Sequence, residues 1–290
     1  MSIILNYFKY SKIFIEEFKT VVSVLSSTTP FFYPVPCVIQ HTARLTSMSE
    51  QKLTNYLNKS TFSTQIGPRH HIPVILSDSK GIYLKNNIIH PFDNNIVWWC
   101  KGGSIIEKSL AWLERNIDAK LRTLGPIRLF IWLGTCNLKR KGKTPHIALT
   151  SNNDDSVKHI IRNLNNFKEF LANYHQVQVI FLEIPVYSIV SWNRYHHHID
   201  PTDFKEQDRD LQQQILKVNQ EIRQLNSDLQ TNSPDFSKFL KASARHRRRS
   251  QRVTWYYYNF KLYKDGVHPT QKLARVWLRE IVDRIREACW

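Results

Sequence analysis

After residue 70 the chain settles into a regular alternation. Four short, nearly unbroken apolar runs, HIPVILSDS (71–79), NIVWWC (95–100), PIRLFIWLG (126–134) and VQVIFLEIP (177–185), have the length and continuity of strands buried on both faces. Between and after them the apolar positions switch to steps of three and four. Ile106, Leu110, Leu113, Ile117 and Leu121 form one helical stripe. Val157, Ile160, Leu164, Leu171 and Tyr174 form a second, with one longer step, and Leu211, Ile215, Val218, Ile222, Leu225 and Leu229 a third. A last helix after Pro269 carries Leu273, Trp277, Ile281 and Ile285. Apolar strands alternating with amphipathic helices predict an α/β fold, a three-layer α/β/α arrangement around a central parallel sheet.

Residues 1–70 lack that alternation. They hold Ser/Thr/Pro-rich pieces (SSTTPFFYPVP, KSTFSTQIGPRHH) and read as an N-terminal extension, partly disordered or loosely helical, in front of a domain at 71–290. The apolar start of the chain is interrupted by Lys9, Lys12, Glu16, Glu17 and Lys19. It therefore fits neither a membrane span nor a signal peptide. Met48 opens a fresh polar segment and is a candidate alternative start.

In a doubly wound sheet the ligand site lies beyond the carboxyl ends of the strands. There the sequence places Ser77-Asp78-Ser79, then Lys101-Gly102-Gly103-Ser104, then Gly134-Thr135-Cys136-Asn137, and late in the chain Asp265-Gly266-Val267-His268-Pro269. A serine after a strand, a glycine-rich helix start and an Asp-x-x-His turn are the parts of a serine hydrolase. The hydroxyl needs a base, His268, and the base needs an orienting acceptor, which Asp265 can supply from three residues upstream. Backbone N–H groups at Ser79 and Gly103 are candidate donors to a developing oxyanion. The scheme requires neither cofactor nor metal.

These blocks, SDS, GGS, GTCN and DGVH, resemble in kind and order those of the SGNH (GDSL-type) hydrolases, over about residues 71–288. The resemblance implies a flavodoxin-like SGNH hydrolase fold, with Ser79 as nucleophile, His268 as base, Asp265 as its orienter and Gly103 as an oxyanion donor. Ser77 occupies the family's glycine place in the first block. Cys136 occupies the place of the oxyanion Asn, and Asn137 falls one residue later, so the direction of the Asn137 amide bears on turnover. The stretches WLGTCNL, LEIP and NFKLYKDGVHP further resemble the esterase-like proteins associated with invertebrate retroelements.

Charge adds a partner. With 41 Lys+Arg against 24 Asp+Glu the net charge is +17, which suits an anionic partner. Two dense basic runs, Lys139-Arg140-Lys141 and Arg247-Arg248-Arg249, are expected in loops around the catalytic mouth, and Trp255 to Tyr258 follow the second. Basic residues beside aromatics suit phosphate contacts and base stacking, and so predict binding of RNA or another polyanion. Catalytically silent SGNH-like domains that bind RNA are known, so the alternative to an ester hydrolase is an RNA-binding module on the same fold. Four dispersed cysteines without a C-x-x-C pair fit a reducing, intracellular setting, cytoplasmic or nuclear. His196-His197-His198 lacks a completing ligand pattern and is not read as a metal site.

Overall fold

The computed structural model of the protein describes residues 50–59, 68–248 and 251–290, with 245–248 and 251–253 as backbone only. Met48 and the rest of residues 1–49 lie outside the described residues, as do 60–67, Arg249 and Ser250.

The apolar runs form a four-stranded parallel sheet in the order β2-β1-β3-β6, where β1 is Ile72–Ser77, β2 Val97–Cys100, β3 Ile127–Trp132 and β6 Val177–Phe181. Helices cover both faces, giving the three-layer α/β/α architecture expected from the alternation. The chain steps from β1 to β2 on one side, then to β3 on the other side of β1. The strand order therefore reverses at β1, the position at which such sheets open a crevice for ligands. Register aligns the ends: Ser77 lies opposite both Cys100 and Trp132. The loops after β1, β2 and β3 thus leave the sheet at one level.

Helix α1 (residues 50–58), just past Met48, belongs to this domain's surface. Leu53 is fully buried, Tyr56 donates its hydroxyl to Glu280 at 2.6 Å, and Arg279 Nη1 donates to the Tyr56 and Leu57 carbonyls. Helix α2 (Ser79–Lys85) follows β1 directly, α3 (Ile106–Leu124) follows β2, and the short α4 (Thr135–Leu138) follows β3. Helix α5 (Asp155–Leu171) packs between α3 and α7 (Lys205–Asp228), while α2 packs on the C-terminal α8 (Gln271–Cys289), which also reaches β1. On α7 two buried amides escape the apolar stripe for a clear reason. Asn219 bonds both backbone groups of Ile184, and Asn226 both of Phe181, so the chain leaving β6 has its polar groups satisfied by a helix instead of another strand.

Three local differences from the sequence expectation have physical causes. The residues of β2 are all half-buried, because β2 is an edge strand of the sheet. Lys139–Lys141 is a strand, β4, paired antiparallel with β5 (Ile147–Leu149), whose buried Ile147 and Leu149 anchor the ribbon. Lys241–Arg248 and Gln251–Tyr258 pair as β7 and β8, so the second basic run lies in a hairpin and not in a simple loop. The remaining helix, α6 (Ile189–Tyr195), lies between β6 and α7.

Candidate active site

The first-strand loop builds its turn from polar side chains. Ser77 is buried; its hydroxyl donates to the Trp132 carbonyl at 3.1 Å and accepts from Gly81 N at 3.2 Å. It is not among the described residues with positive φ, so the serine fits this turn without strain. Asp78 caps α2 by accepting from Lys80 N at 2.9 Å. Ser79 then opens α2, half-exposed at the strand end. Gly81 is required by packing: a Cβ there would meet Cys100 Sγ at 2.5 Å.

Sequence reasoning missed what lies under the serine. Lys80 is fully buried, with Nζ 2.6 Å from Asp78 Oδ2 and 2.5 Å from Thr135 Oγ1, and stands 5.2 Å over the Trp132 ring. A buried ammonium of this kind persists only with its partners in place. It joins the loops after β1 and β3. The spacing Asp-x-Lys was visible in the sequence; its burial was not.

The late DGVH block reaches the same place. Ser79 Oγ lies 2.9 Å from His268 Nε2, and His268 Nδ1 lies 2.7 Å from Asp265 Oδ2. Asp265 Oδ1 accepts from the backbone N–H groups of Val267 (3.0 Å) and His268 (2.7 Å), which fixes the carboxylate against its own turn. Burial alone would raise the Asp265 carboxyl. The hydrogen bonds from the His268 ring and backbone, with the charge of His268 and the Val267 N–H, outweigh it and hold the group below its usual range. Tyr83 stacks on the imidazole at 4.6 Å and 17°, and Trp192 lies tilted against it at 5.7 Å. The turn depends on Gly266, at φ 93°, where a Cβ would meet the Trp192 backbone nitrogen at 2.6 Å. Gly266→Ala is therefore expected to lower unfolding free energy by about 1–3 kcal/mol and to cut any hydrolytic rate by displacing His268. Denaturant unfolding checks it, and a variant as stable as the wild type would refute it.

On the other side of the serine, Gly103 has φ 70° and open space around it. Neither Ser79 N–H nor Gly103 N–H meets a hydrogen-bond acceptor among the described residues. Asn137 is differently engaged. Its carbonyl accepts from Ile106 N at 3.0 Å and its amide donates to Glu107 Oε2 at 2.8 Å, tying α4 to the start of α3. Cys136 is half-buried with a free thiol, and burial pushes that thiol up, so it stays neutral.

The basic residues divide. Arg140 and Lys141 are exposed on β4, whereas Lys139 turns inward, its amine 4.9 Å from the Trp192 ring centre and its pKa lowered chiefly by burial. Arg247 and Arg248 are placed as backbone on β7, and Arg249 lies outside the described residues. Trp255, Tyr256 and Tyr257 on β8 are exposed. His196 and His198 pack against Trp192 and Phe204, respectively. Among the described residues no group of three His, Cys, Asp or Glu is arranged to hold a metal ion, and no helix is long and apolar enough to cross a membrane. Glu183, in the LEIP stretch, is buried and paired with Arg223 at 3.0 Å.

No protein-family model matches the chain, and no curated protein matches it. Solved structures do. A GDSL-like lipase from Bacteroides thetaiotaomicron superposes with a TM-score of 0.50 at 14% identity, covering 83% of this chain and 98% of the lipase. The fold is that of the SGNH hydrolases. A lipase/acylhydrolase from Enterococcus faecalis is also similar, at TM-score 0.46 and 13% identity over 76% of this chain and 97% of that one. The carboxyl ends of β1, β2 and β3 lie level with one another, and that level carries Ser79, the Gly102-Gly103 loop and the Thr135–Asn137 turn.

Proposed function

We propose that the protein is a serine hydrolase of the SGNH type, cleaving an ester through an acyl-enzyme on Ser79. The observation that carries this reading is the unbroken chain from Ser79 Oγ through His268 to Asp265, at 2.9 and 2.7 Å. His268 Nε2 accepts the Ser79 proton as Oγ bonds to the ester carbonyl carbon. The carbonyl oxygen becomes an oxyanion facing the Ser79 and Gly103 N–H groups. The C–O bond to the alcohol then breaks and His268 returns the proton to the departing oxygen. Water, deprotonated by His268, next attacks the acyl-enzyme; the acid leaves and Ser79 regains its proton. The Asp265 carboxylate holds the ring and stabilises the imidazolium in both halves.

The third donor of the family site is weakened. A buried neutral thiol, Cys136, is a poor donor, and Asn137 spends its carbonyl and one N–H on α3. A missing oxyanion donor costs about 10²–10³ in rate, so turnover is slow. The test is hydrolysis of p-nitrophenyl acetate by the wild type and by Ser79→Ala in parallel; equal rates overturn the reading. The free thiols of Cys100, Cys136 and Cys289 support an intracellular setting, and the WLGTCNL, LEIP and NFKLYKDGVHP stretches support a retroelement-associated origin.

A second reading, a polyanion-binding surface on the same domain, is favoured by the β7–β8 hairpin. Its strands carry the Arg247-Arg248 run and place Trp255, Tyr256 and Tyr257 in solvent, as base stacking requires. Single-stranded RNA titrated at several salt concentrations is expected to bind with a steep salt slope. Arg247→Ala/Arg248→Ala/Arg249→Ala is expected to reduce that slope by about 2, at roughly 0.7 per phosphate contact. Absence of binding at low salt removes this reading.

A further inference from the structure

Beside the oxyanion loop the surface opens into a cleft of about 640 Å³ between β2 and α3, within the size range of small-molecule sites. Trp98, Trp99 and Trp112, all half-buried, line it, and the indoles of Trp99 and Trp112 meet edge-on at 5.5 Å. Its rim carries Lys101, Lys108 and Arg115, all exposed, and no carboxylate lines it. None of the three cations takes part in an ion pair among the described residues. Trp98 Nε1 is buried and has no acceptor among the described residues. Gly102 and Gly103, on the loop whose Gly103 N–H is a candidate oxyanion donor, line it too.

We propose that this cleft is the acyl subsite of the Ser79 centre and selects acyl groups with an apolar or planar body ending in an anion. The proposal rests on the Ser79 acyl-enzyme reading. The side follows from the proton path. His268 must reach the departing oxygen, so the alcohol lies toward His268, Tyr83 and Trp192. None of these lines the cleft, which lies on the Gly103 side and is left to the acyl part. The chemistry follows from the lining. Indole faces take flat or aliphatic groups, and three cations without a counter-charge take a carboxylate or phosphate at the far end. Such a subsite also gives the positive charge of the chain a catalytic use independent of the hairpin.

The test compares two p-nitrophenyl esters of equal length and identical leaving group, the pentanoate and the glutarate half-ester, which differ only in a terminal carboxylate. The wild type is expected to prefer the half-ester by about tenfold or more in kcat/KM, the scale of a charge-assisted contact. In Lys101→Ala/Lys108→Ala/Arg115→Ala the ratio is expected to fall toward one. A wild-type ratio at or below one, or a ratio unchanged in the variant, overturns the proposal. If neither ester is cleaved, the Ser79 reading fails instead, and the cleft is read by binding. Titration with 5-phenylpentanoate should then change tryptophan fluorescence saturably, with weaker binding in the triple variant and with 5-phenylpentanol. No saturable change, or equal binding of acid and alcohol, overturns it.

Discussion

Ser79→Ala is expected to lower kcat for p-nitrophenyl acetate by about 10³-fold or more, leaving only the background that two backbone donors and binding support. The size of the loss follows from the bond that is removed. Without Oγ there is no acyl-enzyme, and the proton relay from His268 to Asp265 has nothing to deprotonate. The substitution should leave folding intact. Ser79 is half-exposed, its hydroxyl bonds only to His268 among the described residues, and α2 keeps its cap from Asp78. A melting temperature close to the wild type together with lost turnover therefore separates chemistry from stability. Hydrolysis that persists in the variant would assign any observed activity to another group.

Asp265→Asn should cost nearly as much, about 10³–10⁴-fold in kcat, because an amide facing Nδ1 favours the imidazole tautomer that cannot accept the serine proton at Nε2. Its stability effect has a definite sign. The Asp265 carboxyl is held below its usual value of 3.8 in the folded chain, so its ionised form contributes stability that is fully present above pH 3.8. That contribution disappears as pH falls through the lower folded value. The gap in unfolding free energy between wild type and variant should accordingly be largest near neutrality and close as the pH falls through the lowered folded value. Urea unfolding at several pH values reads it, and a gap independent of pH would show that the carboxylate charge contributes nothing to the fold. Loss of rate without any change in the pH dependence of stability would leave Asp265 as a catalytic group alone.

Much of this was legible because the local signals agreed with the tertiary result. The runs ending at Ser77, Cys100 and Trp132 are continuous apolar strands, and the helical stripes from Ile106, Val157, Leu211 and Leu273 are all buried faces. Other features were illegible for stated reasons. The residues Lys139–Lys141 have no strand pattern; they are held extended by pairing with Ile147–Leu149. The lysine after Ser79 reads as a surface charge in sequence, yet Lys80 is buried because Asp78 and Thr135 surround its amine. The exposure of Trp255, Tyr256 and Tyr257 depends on β7–β8 standing as a two-stranded ribbon with no further strand beside it among the described residues. The cleft could not be read at all. Trp98 and Trp99 look like core in a one-dimensional pattern, and only the edge position of β2 leaves them half-buried, with the Trp99 indole against Trp112 at an opening.

The sequence by itself determined the layer architecture and the order of the four blocks, and it made Ser79, Asp265 and His268 candidates for one chemistry. Period and spacing are local properties, and strand-end placement follows from them. Only the tertiary structure decided that Ser79 and His268, 189 residues apart, come within 2.9 Å. It also committed the Asn137 amide to Glu107, turned Lys139 toward Trp192 while leaving Arg140 and Lys141 outside, and placed three cations around an indole-lined cleft. The reason is the same in each case: which way a side chain turns is set by the partner that satisfies its charge or covers its apolar surface, and that partner comes from a distant part of the chain.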